Sequence, residues 1–181
     1  MKEKFVLKGD NIILRSLEIT DIDNYIHWYT VDREWEEWDA PWERFNFDEE
    51  SIKLFILSKI IEDRKSKVKK FLQVCTKDGT HIGWVNAYFL KESSNKLAVG
   101  ITLPPTDFRG KGYGREGLIL FMNYLKENFN PIYMETWTGN IPMMRVGENI
   151  GFKEVHREEN FWSKDSISYD RVTYKICVGS N

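Results

Sequence analysis

The residues with the most chemical content form one short run, Arg109, Gly110, Lys111, Gly112, Tyr113 and Gly114. Just downstream, Leu118, Phe121, Met122 and Leu125 recur at i, i+3, i+4 and i+7, the apolar stripe of a helix lying on a sheet. The run therefore sits where a strand gives way to a helix, and unpaired N–H groups converge there with the positive end of the helix dipole. An anion belongs at such a point. Glycine lets the backbone approach a bulky pyrophosphate, and Arg109 and Lys111 add compensating charge at the rim. A loop that only had to turn would not need three glycines at alternate positions with the cations Arg109 and Lys111 set beside them.

Two phosphate-bearing ligands compete for this loop. Gly112, Gly114 and Gly117 also satisfy G-x-G-x-x-G, with Glu135 near the acidic position of a dinucleotide site. Against a dinucleotide-binding protein stand the residues Pro104 to Phe108 between strand and loop, the mid-chain position, and hairpins rather than repeated βαβ units upstream.

The elements that must carry the loop follow from periodicity and turn signals. Asn11 to Leu17 alternates as a strand. Thr20 with Asp23 reads as a capping-box variant opening a helix with Ile22, Tyr25, Ile26 and Tyr29 on one face. Asn46 with Glu49 opens a second helix, striped by Ile52, Phe55, Ile56 and Ile60 and running to about Asp63. The cations from Arg64 to Lys70 read as its solvated, dipole-favoured end. Phe71 to Thr76 and His81 to Phe89 form a hairpin through Asp78-Gly79. A polar turn, Glu92 to Lys96, leads to a strand from Leu97 to Leu103 that Pro104 and Pro105 end. After the loop and its helix come a strand at Pro131 to Thr138, a helix at Ile141 to Asn149 stopped by Gly151, and two strands turning at Lys164 and Asp165. The fold class is α/β (α+β), a mixed, mostly antiparallel sheet of about seven strands with about four helices, in a single domain over residues 1–181.

Composition narrows the function. At 41% hydrophobic and 30% charged residues, the chain has the make-up of a packed protein rather than a disordered one. A net charge of -2 offers no field for nucleic acid or an anionic membrane. The start, MKEKFVLKGDN, lacks the apolar run of a signal peptide, so a cytoplasmic location is expected. Cys75 and Cys177 lie far apart, and His27, His81 and His156 have no ligand spacing, so no metal is expected.

Arg109 to Gly114 match R-x-x-G-x-G, and here the chain resembles the GNAT (GCN5-related N-acetyltransferase) superfamily, in its RimJ/RimL-like branch. The resemblance runs from LRSLEITDIDNY through FRGKGYGREG to ETWTGNIPMMRVGENIGF and the closing strands. It implies acetyl-CoA as co-substrate and a twisted sheet whose fourth and fifth strands, here Leu97 to Leu103 and Ile132 to Thr138, splay around the pantetheine arm. It also implies that the amides of Gly110, Gly112, Tyr113 and Gly114 hold the pyrophosphate, with Arg109 and Lys111 as flanking charge and Asn140 on the cofactor's arm. Asn140 equally suits the N-cap of the short helix.

Acetyl transfer to an amine needs a neutral nucleophile, a donor for the thioester oxygen, and a proton for the leaving thiolate. The resemblance implies that a backbone amide of Ile101, Thr102 or Leu103 supplies the donor. The glutamate many relatives carry before the glycine of that strand is absent, Ala98 and Val99 preceding Gly100. Gly147 stands where a tyrosine acid is common, and Met143 where some RimL-like proteins have a serine. Glu135 is the first candidate base, acting through water, with Glu158 and Glu159 behind it; a structural ion pair would also explain Glu135. The missing acid keeps open a non-catalytic acyl-CoA-binding module.

Between Asp32 and Arg44, the acids Asp32, Glu34, Glu36, Glu37, Asp39 and Glu43 interleave with Trp35, Trp38 and Trp42. In relatives this region walls the acceptor site, so Trp35, Glu36, Trp38 and Trp42 are expected to meet a cationic amine, such as a polyamine, an aminoglycoside-like amine or a peptide N-terminus. The alternative is tryptophans that pack the core and acids that face water. A homodimer is allowed; nucleic-acid and membrane partners are not expected.

Overall fold

The computed structural model describes residues 5–43, 46–91, 93 and 95–179. Arg44 and Glu92, which bound two of the segments above, and the first four residues lie outside them. In chain order the elements are β1 (Val6–Lys8), β2 (Ile12–Arg15), α1 (Ile22–Thr30), α2 (Glu49–Lys65), β3 (Phe71–Thr76), β4 (His81–Phe89), β5 (Leu97–Thr102), α3 (Tyr113–Leu125), β6 (Ile132–Trp137), α4 (Ile141–Ile150), β7 (Lys153–Lys164) and β8 (Ile167–Ile176). The strands form one mixed, mostly antiparallel sheet in the order β1-β2-β3-β4-β5-β6-β8-β7. The eighth strand is β1, whose three residues pair with β2 from Val6 opposite Arg15 to Lys8 opposite Ile13 and are too short to show alternation in sequence. The chain groups into two compact units, Met1–Asn86 with Ile101–Leu120, and Ala87–Gly100 with Phe121–Asn181.

In the first unit, β2 pairs with β3 and β3 with β4, all antiparallel, and the β3–β4 turn closes on Gly79 at φ 93°. Its core gathers Leu17, Tyr25, Trp28, Trp35, Ile52, Ile56, Ile60 and Trp84. Both helix starts differ from expectation. The box that opens α1 joins Glu18 and Asp21 around a short 3-10 turn, Ile19–Asp21, and the cap of α2 is Asp48, which accepts from the Ser51 N–H at 2.8 Å. In each case a neighbouring acid reaches the exposed N–H groups from the position that the geometry favours. Phe55 leaves the buried stripe of α2 and faces solvent, whereas Ile52, Ile56 and Ile60 stay buried.

A buried polar network lies beside this core. Arg15 grips Asp21 with two hydrogen bonds of 2.7 and 2.6 Å. Burial, the largest single influence, would raise the Asp21 carboxyl, but the Arg15 fork, His81 and the Glu18 N–H together outweigh it and hold the group below the usual range. His81 Nδ1 lies 3.1 Å from the Asn24 amide nitrogen and its Nε2 lies 3.0 Å from Gln73 Oε1 and 3.1 Å from the Gly83 carbonyl. That arrangement suits a neutral ring protonated on Nε2.

In the second unit, β6 pairs antiparallel with β8 and β8 with β7. The β7–β8 turn runs through Asp165 and Ser166, both at positive φ. Helix α4 is capped by Asn140 and ends at Gly151 in the left-handed region, φ 110°. β5 pairs parallel with β6, at Ala98 opposite Tyr133, whereas β1–β2, β2–β3, β3–β4, β6–β8 and β7–β8 are antiparallel. A dinucleotide fold needs a run of parallel βαβ units, so that reading of Gly112, Gly114 and Gly117 falls. Gly117 packs against the side chains of Ile101, Ile12 and Val85, a Cβ there lying 2.9 Å from Ile101 Cδ1.

Candidate functional site

The glycine-rich loop lies in the first unit. After Pro104 and Pro105 the chain makes a 3-10 turn, Thr106–Phe108, closed by the Arg109 N–H on the Thr106 carbonyl at 3.0 Å. Gly110 at φ 72° and Gly112 at φ 89° hold the left-handed conformation that reverses the chain into α3. The Glu116 N–H reaches the Gly112 carbonyl at 3.0 Å, and the amides of Tyr113, Gly114 and Arg115 precede it in the first turn. Those leading N–H groups carry the partial positive charge of the helix end. A Cβ built on Gly110 or Gly112 meets nothing within 4 Å, so the glycine side of the loop is open space that a ligand can approach. Lys111 is exposed beside it.

Arg109 is engaged within the protein. Its Nε donates to the Leu103 carbonyl at 2.7 Å and its Nη2 to the Pro104 carbonyl at 2.6 Å, while Nη1 pairs with the Glu34 carboxylate. The guanidinium thus ties the end of the strand to the loop across six residues. Glu34 also accepts from Trp38 Nε1 at 2.7 Å, and the bonds from Trp38 and Arg109 hold its carboxyl below the usual range. A second brace was absent from the sequence reading. Glu116 accepts from the Asn11 backbone at 2.8 Å, the Asn11 side chain at 2.9 Å and the Ile12 backbone at 3.3 Å, fixing the first turn of α3 against the start of β2. An acid in the first turn of a helix is a sequence signal, but its partner over a hundred residues earlier is not.

The remaining candidates lie in the second unit or at the strand end. Ile101, Thr102 and Leu103 are half-buried where β5 finishes. The β5–β6 ladder has one rung among the described residues, as expected for strands that diverge. Glu135 is half-buried on β6, opposite Thr173 of β8. Asn140 accepts from the Met143 N–H at 3.1 Å, the N-cap role anticipated for it. Glu158 is bound to Arg171 at 2.6 Å, and Glu159 is exposed.

The model of the acetyltransferase (GNAT) domain matches residues 11–153. The chain belongs to this family. As a GNAT N-acetyltransferase it is an acyltransferase. Among solved structures, the chain is 21% identical to a GNAT-family acetyltransferase from Bacillus anthracis, with a TM-score of 0.74 over 96% of this chain and 98% of that one. RimL, a ribosomal L7/L12 alpha-N-protein acetyltransferase solved with coenzyme A, is 11% identical at a TM-score of 0.79, over 96% and 98% of the two chains. The microcin C7 self-immunity acetyltransferase MccE, solved with acetyl-CoA and AMP, is 16% identical at 0.73, over 94% of each. These likenesses establish a shared fold. No curated protein sequence matches the chain.

Within this GNAT chain the expected acceptor wall divides by burial. Trp35 is 2% exposed, its indole N–H donates to the Trp28 carbonyl at 2.9 Å, and its ring packs edge-on to Tyr29 and Trp84. It is a core residue, not a wall. Glu36 is buried, and the Arg33 guanidinium grips it at 2.9 to 3.3 Å, so its carboxylate already faces a cation of the protein. Trp38 is exposed and Trp42 half-buried. The aromatic residues that sequence spacing did not single out here are Trp28 and Trp84, and in the second unit Trp137, whose ring meets Trp162 and Tyr169 edge-on at 5.4 and 5.0 Å. Gly147 lies against Met134: a Cβ there would lie 2.3 Å from Met134 Cε, so a larger residue would require the end of that side chain to swing aside. No helix among the described residues is long and apolar enough to cross a membrane, and no group of three or more His, Cys, Asp or Glu among them could hold a metal ion.

Proposed function

We propose that residues 1–181 act as one GNAT domain that moves an acetyl group from acetyl-CoA to a primary amine, either a small cationic amine or a peptide or protein N-terminus. The observation that carries the reading is the loop at the start of α3, where Gly110 and Gly112 are left-handed and present open backbone to an anion. Acetyl-CoA supplies the acetyl group as an activated thioester, and its pyrophosphate fits this loop by charge and by the absence of side chains. In this reading the amides of Gly110, Gly112, Tyr113 and Gly114 hold the phosphates, Lys111 adds charge at the rim, and Arg109 keeps the loop in shape. A backbone N–H among Ile101, Thr102 and Leu103 donates to the thioester oxygen. Asn140 caps α4 and contacts the cofactor's arm. Glu135 accepts the amine's proton through water. Trp38 and Trp42 meet the acceptor. RimL's action on a ribosomal-protein N-terminus supports the peptide form of the acceptor.

The test is calorimetric titration with acetyl-CoA and, in parallel, NAD, followed by a thiol-release assay over polyamines, aminoglycosides and short peptides. Acetyl-CoA binding without NAD binding, and thiol release with one class of amine, is the expected result. Glu135→Gln should then lower kcat with the pH profile displaced; an unchanged profile removes Glu135 as base. Binding with no release on any amine would favour a non-catalytic acyl-CoA-binding module.

A further inference from the structure

Helix α2 carries apolar side chains on a second face that the fold leaves uncovered. Ile52, Ile56 and Ile60 are buried, whereas Leu54, Leu57 and Ile61 are 61%, 38% and 52% exposed. The exposed set continues at both ends into Glu50 and Arg64, which are also exposed and make no ion pair among the described residues. The spacing from Glu50 through Leu54, Leu57 and Ile61 to Arg64 alternates four and three residues, the repeat that lines one side of a helix as a seam for another helix. Charged ends alone have an ordinary cause, since acids at the start and cations at the end of a helix complement its dipole. Three exposed aliphatic residues between them do not.

The seam is self-complementary in one orientation. Leu57 is the midpoint of Glu49–Lys65 and also the midpoint between Glu50 and Arg64. A second copy laid antiparallel across a two-fold axis at Leu57 sets Glu50 against Arg64 of the other copy, twice over, with Leu54 near the other Ile61. The first-turn acids Glu49 and Glu50 then meet the last-turn cations Arg64 and Lys65, and the two helix dipoles run opposed. A parallel pairing would set acid against acid. We propose that this face of α2 is a homodimer surface, with two copies of the chain packing their α2 helices antiparallel about Leu57. A seam of 17 residues, roughly 25 Å long at 1.5 Å per residue, lies at the small end of specific interfaces, so the dimer is reversible and concentration-dependent.

Sedimentation equilibrium of the full chain over a wide concentration range tests this. The mass should rise from 21.5 kDa towards about twice that value. Leu57→Glu places two carboxylates face to face at the axis and should abolish the rise, whereas Val31→Glu, at a 70% exposed position elsewhere in the same unit, should not. Glu50→Arg and Arg64→Glu should each weaken association roughly tenfold, because two symmetry-related pairs reverse at once, and the double swap should restore it. Circular dichroism melts check that the variants stay folded, as expected for exposed positions. A chain that stays monomeric throughout overturns the proposal, as does a dimer indifferent to Leu57→Glu. A double swap that fails to rescue overturns the antiparallel arrangement.

Discussion

Arg109 offers the sharpest test of how the glycine-rich loop, proposed above to bind acetyl-CoA, is held. If it acts as flanking charge for a pyrophosphate, Arg109→Lys keeps the charge and should bind acetyl-CoA almost as the parent does. The structure predicts otherwise, because the fork spans the Leu103 and Pro104 carbonyls at 2.7 and 2.6 Å while its third arm takes Glu34, and one ammonium cannot reach all three. A charge-assisted hydrogen bond contributes about 1.5 to 3 kcal/mol, and both carbonyls lose theirs in Arg109→Ala. Discounting for partial exposure, about 2 to 4 kcal/mol of loop order is at stake, or roughly thirtyfold to several hundredfold in acetyl-CoA affinity. Arg109→Lys should fall near Arg109→Ala. Glu34→Gln should cost about 1 kcal/mol or less, since that pair is well exposed. Calorimetric titration of the three variants decides. Near-parental binding by Arg109→Lys would refute the brace and return Arg109 to the phosphates.

Three further outcomes follow from the geometry. Gly112→Trp should abolish acetyl-CoA binding by filling the open side of the loop, and, apart from about 1 to 2 kcal/mol for a side chain at φ 89°, leave the fold intact in thermal melts. Gly83→Ala should destabilise by about 2 kcal/mol or more in urea, because its Cβ would lie 2.1 Å from the Thr102 carbonyl oxygen, a backbone atom that cannot swing aside. His81, pushed down by burial from 6.5 to about 4 despite the attraction of Asp21, stays neutral in the fold while the unfolded chain protonates it. Its contribution is therefore complete above pH 6.5 and is lost as pH falls towards 4, on the order of 3 kcal/mol, and Asp21 sharpens the loss at still lower pH. Unfolding free energies from urea titrations at pH 7.5 and 4.5 should differ by about that amount in the parent and by much less in His81→Gln.

What was legible in the sequence was local. The Asp78-Gly79 hairpin, the α3 stripe, and the Asn140 and Gly151 ends of α4 all rest on residues within a few positions of one another, where periodicity and turn chemistry act directly. The glycines of the loop were legible for the same reason, since positive φ is a property of the residue itself. Arg109's partner Glu34 is 75 residues away, and Glu116's partner Asn11 is 105 away, so spacing could not reveal that either side chain was already engaged. The helix caps missed by two residues because several polar residues compete within one turn, and only backbone geometry chooses among them. Trp35 failed as an acceptor contact because hydrophobic burial outweighed a sequence context rich in acids.

Gly147 shows how packing bears on chemistry. Met134 fills the space beside it, with Sδ 3.0 Å and Cε 2.3 Å from where a Cβ would sit, so a larger residue at 147 would require the end of that flexible side chain to move. A thiol ionises near pKa 8.5 and departs as an anion at neutral pH with modest help, whereas an alkylammonium near 10.4 must lose its proton before it can attack. Absence of an acid at position 147 therefore costs an N-acetyltransferase less than absence of a base. With amine and thioester held together, on the order of 7 kcal/mol or more of the barrier can come from positioning alone. The demand left to side-chain chemistry is removal of one proton from the amine, the role proposed above for Glu135, and it does not require a substitute for a tyrosine at position 147.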